Sequence, residues 1–137
     1  MMVLWEKSVN SIFICMEFYI TQNSTLPVLK MELDYNGKSS VEELNSIIEN
    51  SSIFFSMKNV VDGNYKILNK KGGFTNKIFI EPNSKTEYYI YYKFSLFDTN
   101  KVGRYEGEFL FIDGTGTLIL PLKEKLYINI VENFIRG

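Results

Sequence analysis

The sequence predicts an all-β chain folded as an antiparallel β-sandwich, and three observations predict it. Hydrophobic residues recur with a period of two along most of the chain, the spacing of strands with one buried face. Turn signals built on Gly, Asn, Asp and Pro punctuate these runs about every 8–12 residues, dividing the chain into about eight or nine short strands. Aromatic residues make up 15% of the chain, 9 Tyr and 11 Phe against a single Trp, and such side chains fit a pleated surface. With 137 residues, 45% hydrophobic and 23% charged, the chain amounts to one domain, long enough to bury a core without disulfide staples.

Residues 1–15 read as an N-terminal arm or leader, and residues 16–137 as the sandwich domain. Asn10 and Ser11 interrupt the apolar residues of the leader, and no Ala is present to form a cleavage site, so the segment does not read as a signal peptide. Met16 offers an alternative start, and Trp5 is the arm residue best suited to dock on a partner.

The first strand pattern is Met16–Thr21, with Met16, Phe18 and Ile20 on one face. A polar turn, Gln22–Thr25, leads past Pro27 to a strand over Val28–Tyr35, whose Leu29, Met31, Leu33 and Tyr35 share a face. Asn36-Gly37 closes it. Ser39 and Ser40 stand three residues before Glu42 and Glu43, two overlapping capping boxes. Val41, Leu44, Ile47 and Ile48 then follow helical spacing, which predicts a short helix at about residues 40–50.

Strand spacing resumes at Ser52–Lys58, with Ile53, Phe55 and Met57 inward. A turn at Val61–Asn64 precedes a short strand over Tyr65–Leu68, and Asn69–Gly73 reads as a loop. Gly72 and Gly73 lack the strand-to-helix setting of a phosphate-binding loop, so they read as turn residues. Ile78 and Ile80 mark another short strand. The strongest pattern follows from Glu87 to Ile112. Tyr88, Ile90, Tyr92, Phe94 and Leu96 fall on one phase, and five such side chains at about 1.5–3 kcal/mol each make that face worth on the order of 10 kcal/mol before entropy. After Asp98-Thr99-Asn100 a second run begins at Gly103, with Tyr105, Gly107, Phe109 and Phe111 inward. Asp113–Gly116 reads as a tight hairpin connection into a strand over Thr117–Leu122, where Pro121 marks an edge or a bulge. Leu126, Ile128 and Ile130 alternate in the last strand.

The composition argues against most chemistry. The chain has no His, which removes the usual general base and the commonest metal ligand. Cys15 is the only cysteine, so neither an internal disulfide nor a thiolate cluster is available, and its apolar neighbours make it a small core residue. A formal net charge of −1 gives no electrostatic footprint for nucleic acid, and no stretch is long and apolar enough to span a bilayer as a helix. Glu106 and Glu108 share a strand face, opposite to Tyr105 and Phe109, and read as a solvated face rather than a catalytic pair. Asp113–Gly116 lacks the further acidic ligands of a calcium loop. No catalytic, cofactor-binding or metal-binding residue is expected, and the chain reads as non-enzymatic.

Aromatic residues on the outward phases are the more informative feature. Phe54, Phe79, Tyr89, Tyr91 and Tyr127 all fall there, and a contiguous apolar patch marks an interaction site. With Trp5 they form the expected interface, provided that neighbouring strands bring them together. An alternative use is glycan binding, with Tyr89 and Tyr91 as stacking platforms.

The order of these motifs, FYITQNSTLPVLKMEL, then a helical insert, IFFSMKN, an aromatic strand, DTNKVGRYEGEF and LILPLKEKLYINI, resembles the immunoglobulin-like N-terminal domain of tailed-phage upper-baseplate proteins and related small tail, neck or head proteins. The resemblance spans roughly Glu17–Val131. It implies an immunoglobulin-like sandwich with a structural corner at Asp98, Gly103 and Tyr105, where Tyr105 bonds back to an upstream backbone group and Gly103 serves the turn. It also implies a virion structural component, assembled in the host cytoplasm, that packs against itself or against other virion proteins. The upper-baseplate proteins carry long downstream segments that hold their receptor-binding partner. This sequence stops after the domain, which leaves the docking module.

Overall fold

The computed structural model describes residues 4–5, 15–33, 50–79, 85–121 and 124–133. The helix expected at about residues 40–50 lies outside the described residues, as do most of the N-terminal arm and the C-terminal tail. The described residues are all-β. They form ten strands: β1 (Leu4–Trp5), β2 (Cys15–Thr21), β3 (Leu29–Leu33), β4 (Ser52–Asn59), β5 (Tyr65–Lys71), β6 (Gly73–Phe79), β7 (Lys85–Tyr92), β8 (Gly103–Ile112), β9 (Thr117–Leu120) and β10 (Lys125–Val131).

Two sheets share one core. The larger has seven strands in the order β1-β2-β10-β8-β4-β5, with β9 also paired to β8, and the smaller has the order β3-β7-β6. β9 and β10 lie end to end along the same edge of β8. Leu120 pairs with Phe109, Leu126 pairs with Gly107, and Pro121 directly follows β9, where its ladder to β8 has ended. Pro cannot donate to a ladder, so it falls where the pairing is already broken.

The expectation of purely antiparallel pairing is corrected at one ladder. β2 and β10 run parallel over seven residue pairs, from Cys15↔Lys125 to Thr21↔Val131. A hairpin forces its two strands to be antiparallel. These strands come from opposite ends of the chain, and no turn constrains their direction.

The inward phases of β2, β4, β8 and β10 are buried, as alternation requires. Leu29 and Met31 of β3 and Ile90 and Tyr92 of β7 meet them from the smaller sheet. Aromatic rings knit the layers together. The ring of Phe55 lies 4.8 Å from that of Tyr92 and 4.9 Å from that of Phe109, and the ring of Phe18 stacks on Phe94 at 5.8 Å. Gly107 makes room for this packing. A Cβ there would sit 2.6 Å from Ile128 Cδ1 and 2.9 Å from Phe55 Cζ.

Three local expectations are revised. Leu96 does not share the buried face of Ile90, Tyr92 and Phe94; it is exposed, because β7 ends at Tyr92 and the chain turns at Ser95–Asp98. The loop at Asn69–Gly73 is mostly strand: β5 continues to Lys71 and β6 begins at Gly73. Gly72 is the one-residue crossing between the sheets, held by its N–H to Ile53 O at 2.9 Å, and a Cβ on it would meet Tyr91 O at 2.8 Å.

Candidate functional site

One end of the sandwich is formed by three connections: 22–28 between β2 and β3, 60–64 between β4 and β5, and 93–102 between β7 and β8. Short-range polar contacts shape each of them. Asn59 Oδ1 accepts from the N–H groups of Val61 and Asp62 at 2.8 and 3.3 Å, and Asp62 Oδ1 accepts from Asn64 N–H at 2.8 Å. These bonds wind the 60–64 turn tightly, as Asn and Asp side chains do in turns, and Gly63 supplies the positive φ of 74°.

The 93–102 corner is organised by a buried carboxylate. Asp98 Oδ2 accepts from Tyr92 Oη at 2.7 Å and from Ser95 N–H at 2.9 Å, while Lys70 Nζ stands 3.4 Å from Oδ1. Asp98 is fully buried and Lys70 half-exposed, so hydrogen bonds to the carboxylate carry more of its satisfaction than the ion pair does. Burial first, and the neighbouring Asp98 carboxylate second, push the Tyr92 phenol well above its ordinary pKa. Tyr105 Oη donates to Lys101 O at 3.0 Å, which closes the corner onto the start of β8. Burial raises the Tyr105 phenol as well, and a hydrogen bond with Asn59 works in the opposite direction. Gly103 begins β8 opposite Ile130. Thr99 ties the corner to the neighbouring connection: its hydroxyl donates to Ser24 O at 2.8 Å and accepts from Ser24 N–H at 3.1 Å. Asn23 N–H donates to Thr99 O at 2.9 Å, and Val60 N–H donates to Arg104 O at 3.0 Å.

This laced end is unusually apolar outside. Val61 is 91% exposed, Leu26 69%, Phe97 63% and Leu96 61%, with Val60 and Val102 also exposed. Lys66 lies over the Phe97 ring at 4.1 Å and donates to Asn100 Oδ1 at 2.6 Å, which steadies the ring in its outward position. The Asp98 bonds to Tyr92 and Ser95 turn the chain, and the turn pushes Leu96 and Phe97 outwards.

Four of the aromatic residues expected to form an interface are divided between two faces. Phe54 and Tyr127 lie on the outer face of the larger sheet, and Tyr89 and Tyr91 on the outer face of the smaller one; all four are half-buried. Alternation separates the two phases of a strand but says nothing of which sheet the strand joins. Trp5 and Phe79 sit on β1 and β6, and their side chains lie outside the described residues. Tyr127 is covered by Arg104, whose guanidinium stands 3.9 Å from the ring centre. Arg104 in turn donates to Glu17 Oε1 and Oε2 at 3.0 and 2.9 Å and to Asn129 Oδ1 at 3.0 Å. The Glu17 bonds hold its charge on more firmly than usual, and together with the Asn129 bond they tie β2, β10 and β8 together. The Tyr91 ring fills the space above Gly73, where a Cβ would collide with it.

Strand phase carries no signal for the loop end, because period-two alternation describes only residues within strands. Its signal lies in the turns, where Val60-Val61, Leu96-Phe97 and Val102 stand among polar residues that have no need of them.

Two carboxylates elsewhere, Glu106 and Asp113, are engaged structurally. Glu106 pairs with Lys125 at 3.3 Å on the outer face. Asp113 Oδ1 accepts from Thr115 N–H, Thr115 Oγ1 and Gly116 N–H at 2.7–3.0 Å. Donors thus surround this oxygen where a cation would need it free, and they lower the Asp113 pKa, the Thr115 hydroxyl most. No group of three or more His, Cys, Asp or Glu placed to hold a metal occurs among the described residues. Comparison with known protein families, curated sequences and solved structures returns no match.

Proposed function

We propose that the chain is a non-enzymatic protein–protein docking module with an immunoglobulin-like fold, and that it serves as a structural component of a tailed-phage virion, in the tail or baseplate, the neck, or as head decoration. The strand order supports the fold. β2-β10-β8-β4-β5 follows the order A′-G-F-C-C′, and β3-β7-β6 follows B-E-D, the two layers of immunoglobulin-like sandwiches. The bond from Tyr105 to Lys101 O near the start of the F-like strand has the form of a tyrosine corner. Gly107, two residues on, takes the place where antibody domains carry a cysteine, and Phe55 of the C-like strand fills the space that a disulfide would occupy there. The virion setting rests on the order of sequence motifs.

The observation that carries the docking role is the apolar loop end. Leu26, Val60, Val61, Leu96, Phe97 and Val102 are concentrated on three connections braced from behind by the Asp98 and Thr99 networks. An exposed apolar end braced by hydrogen bonds suits contact with another protein surface. Edge strand β5 is less suited to strand addition, since Lys66, Lys70 and Lys71 line it and Asn69 kinks it with a φ of 51°. The glycan reading has weaker support, because Tyr91 is packed against Gly73.

The test is incorporation into particles. Expressed with the other products of its own genome, the wild-type chain co-sediments with assembled particles, and a Val61→Asp/Phe97→Asp double variant stays soluble and folded. Equal incorporation of both would refute the assignment of the loop end.

A further inference from the structure

We infer that the loop end is an isologous contact, and that its occupant is a second copy of this chain. The inference rests on the docking reading and adds the identity of a partner. Three observations point to self-association.

The first is area. Leu26, Val60, Val61, Leu96, Phe97 and Val102, each 43–91% exposed, offer much of the ~800 Å² that each partner contributes to a standard specific interface. The second is charge around the patch. Asp62 and Glu132 are exposed on this end, and so are Lys93 and Lys101, with Lys66 laid over the Phe97 ring. A rim carrying both signs can complement itself across a twofold axis, where each residue meets its counterpart's neighbours rather than a uniform field. The third is the net charge of −1 for the whole chain, which leaves two copies without long-range repulsion at the distances where the apolar contact forms.

The arrangement also limits the assembly. A twofold contact between loop ends closes on itself and gives a dimer with the two sandwiches end to end, so both outer sheet faces stay available for other neighbours. An open stack of copies would instead need a second, different patch to receive the loop end.

Sedimentation velocity on the full-length chain, over a concentration series from about 1 to 500 μM, tests this. The wild type is expected to show a reversible monomer–dimer equilibrium. Phe97→Asp enters such an interface twice, once from each copy, and is expected to raise the dimer dissociation constant by about 100-fold or more. Leu68→Asp, equally exposed but on the outward phase of β5 away from the loop end, is expected to leave it unchanged. Circular dichroism melts of both variants guard against unfolding. A wild type that remains monomeric throughout the series overturns the inference while leaving the particle-incorporation test to judge docking by itself. A dimer that survives Phe97→Asp, or that Leu68→Asp abolishes equally, overturns it too.

Discussion

Asp98→Ala should be the most damaging single change in the loop end, although the Asp98 side chain is fully buried beneath it. The substitution removes the acceptor for the buried Tyr92 hydroxyl and for Ser95 N–H. Each buried donor left unsatisfied costs about 1–3 kcal/mol, and Lys70 loses its nearest carboxylate at little cost, since an ion pair with a half-exposed partner contributes under about 1 kcal/mol. The expected loss is about 3–5 kcal/mol, comparable with the cost of breaking one side of a buried pair and a large part of the ~5–15 kcal/mol that holds a domain folded. Asp98→Asn keeps one acceptor oxygen and should cost about half as much. Urea denaturation followed by tyrosine and tryptophan fluorescence measures this as a drop in midpoint at unchanged slope. Because Tyr92 and Asp98 share one bond, the Tyr92→Phe/Asp98→Ala cycle should show a coupling of about 1–3 kcal/mol. A loss below about 1 kcal/mol for Asp98→Ala, or additive effects in the cycle, would refute the view that this carboxylate organises the corner.

Two further predictions concern the core and pH. Gly107→Ala places a methyl group against Ile128 and Phe55 and should destabilise the fold by about 1–3 kcal/mol through overpacking, measured by the same denaturation curves; a neutral result would mean that Phe55 is free to move aside. The raised phenol pKa of Tyr92 fixes the sign of the alkaline response. The folded chain keeps this proton to higher pH than the unfolded chain, so the stabilisation is complete below about pH 10 and is lost as pH rises above it, at about 1.4 kcal/mol per pH unit for each such tyrosine. Tyr105 acts in the same direction. Tyr92→Phe should flatten the fall in stability between about pH 10 and 11.5, and an unchanged slope would show that other groups govern it.

Period-two alternation was enough to assign the faces of β2, β4, β8 and β10, because side chains alternate across a strand whatever its neighbours are. The large inward residues Phe18, Ile53, Phe55, Tyr105, Phe109 and Ile128 could be read in this way, and all are buried. The Asp-Gly connection at Asp113–Gly116 was equally legible, since a hairpin turn is closed by residues adjacent in sequence. Local rules lose their hold where the chain meets itself over long separations. The parallel ladder of β2 and β10, the crossing from one sheet to the other at Gly72, and the division of Phe54 and Tyr127 from Tyr89 and Tyr91 between opposite faces all depend on which strands pair. Strand pairing is selected by packing of the whole core and leaves little trace in any one segment. Leu96 shows the limit most clearly. Its alternation with Phe94 and Tyr92 pointed inward, but a carboxylate two residues ahead captured Tyr92 and Ser95, bent the chain, and turned a core residue into part of a surface.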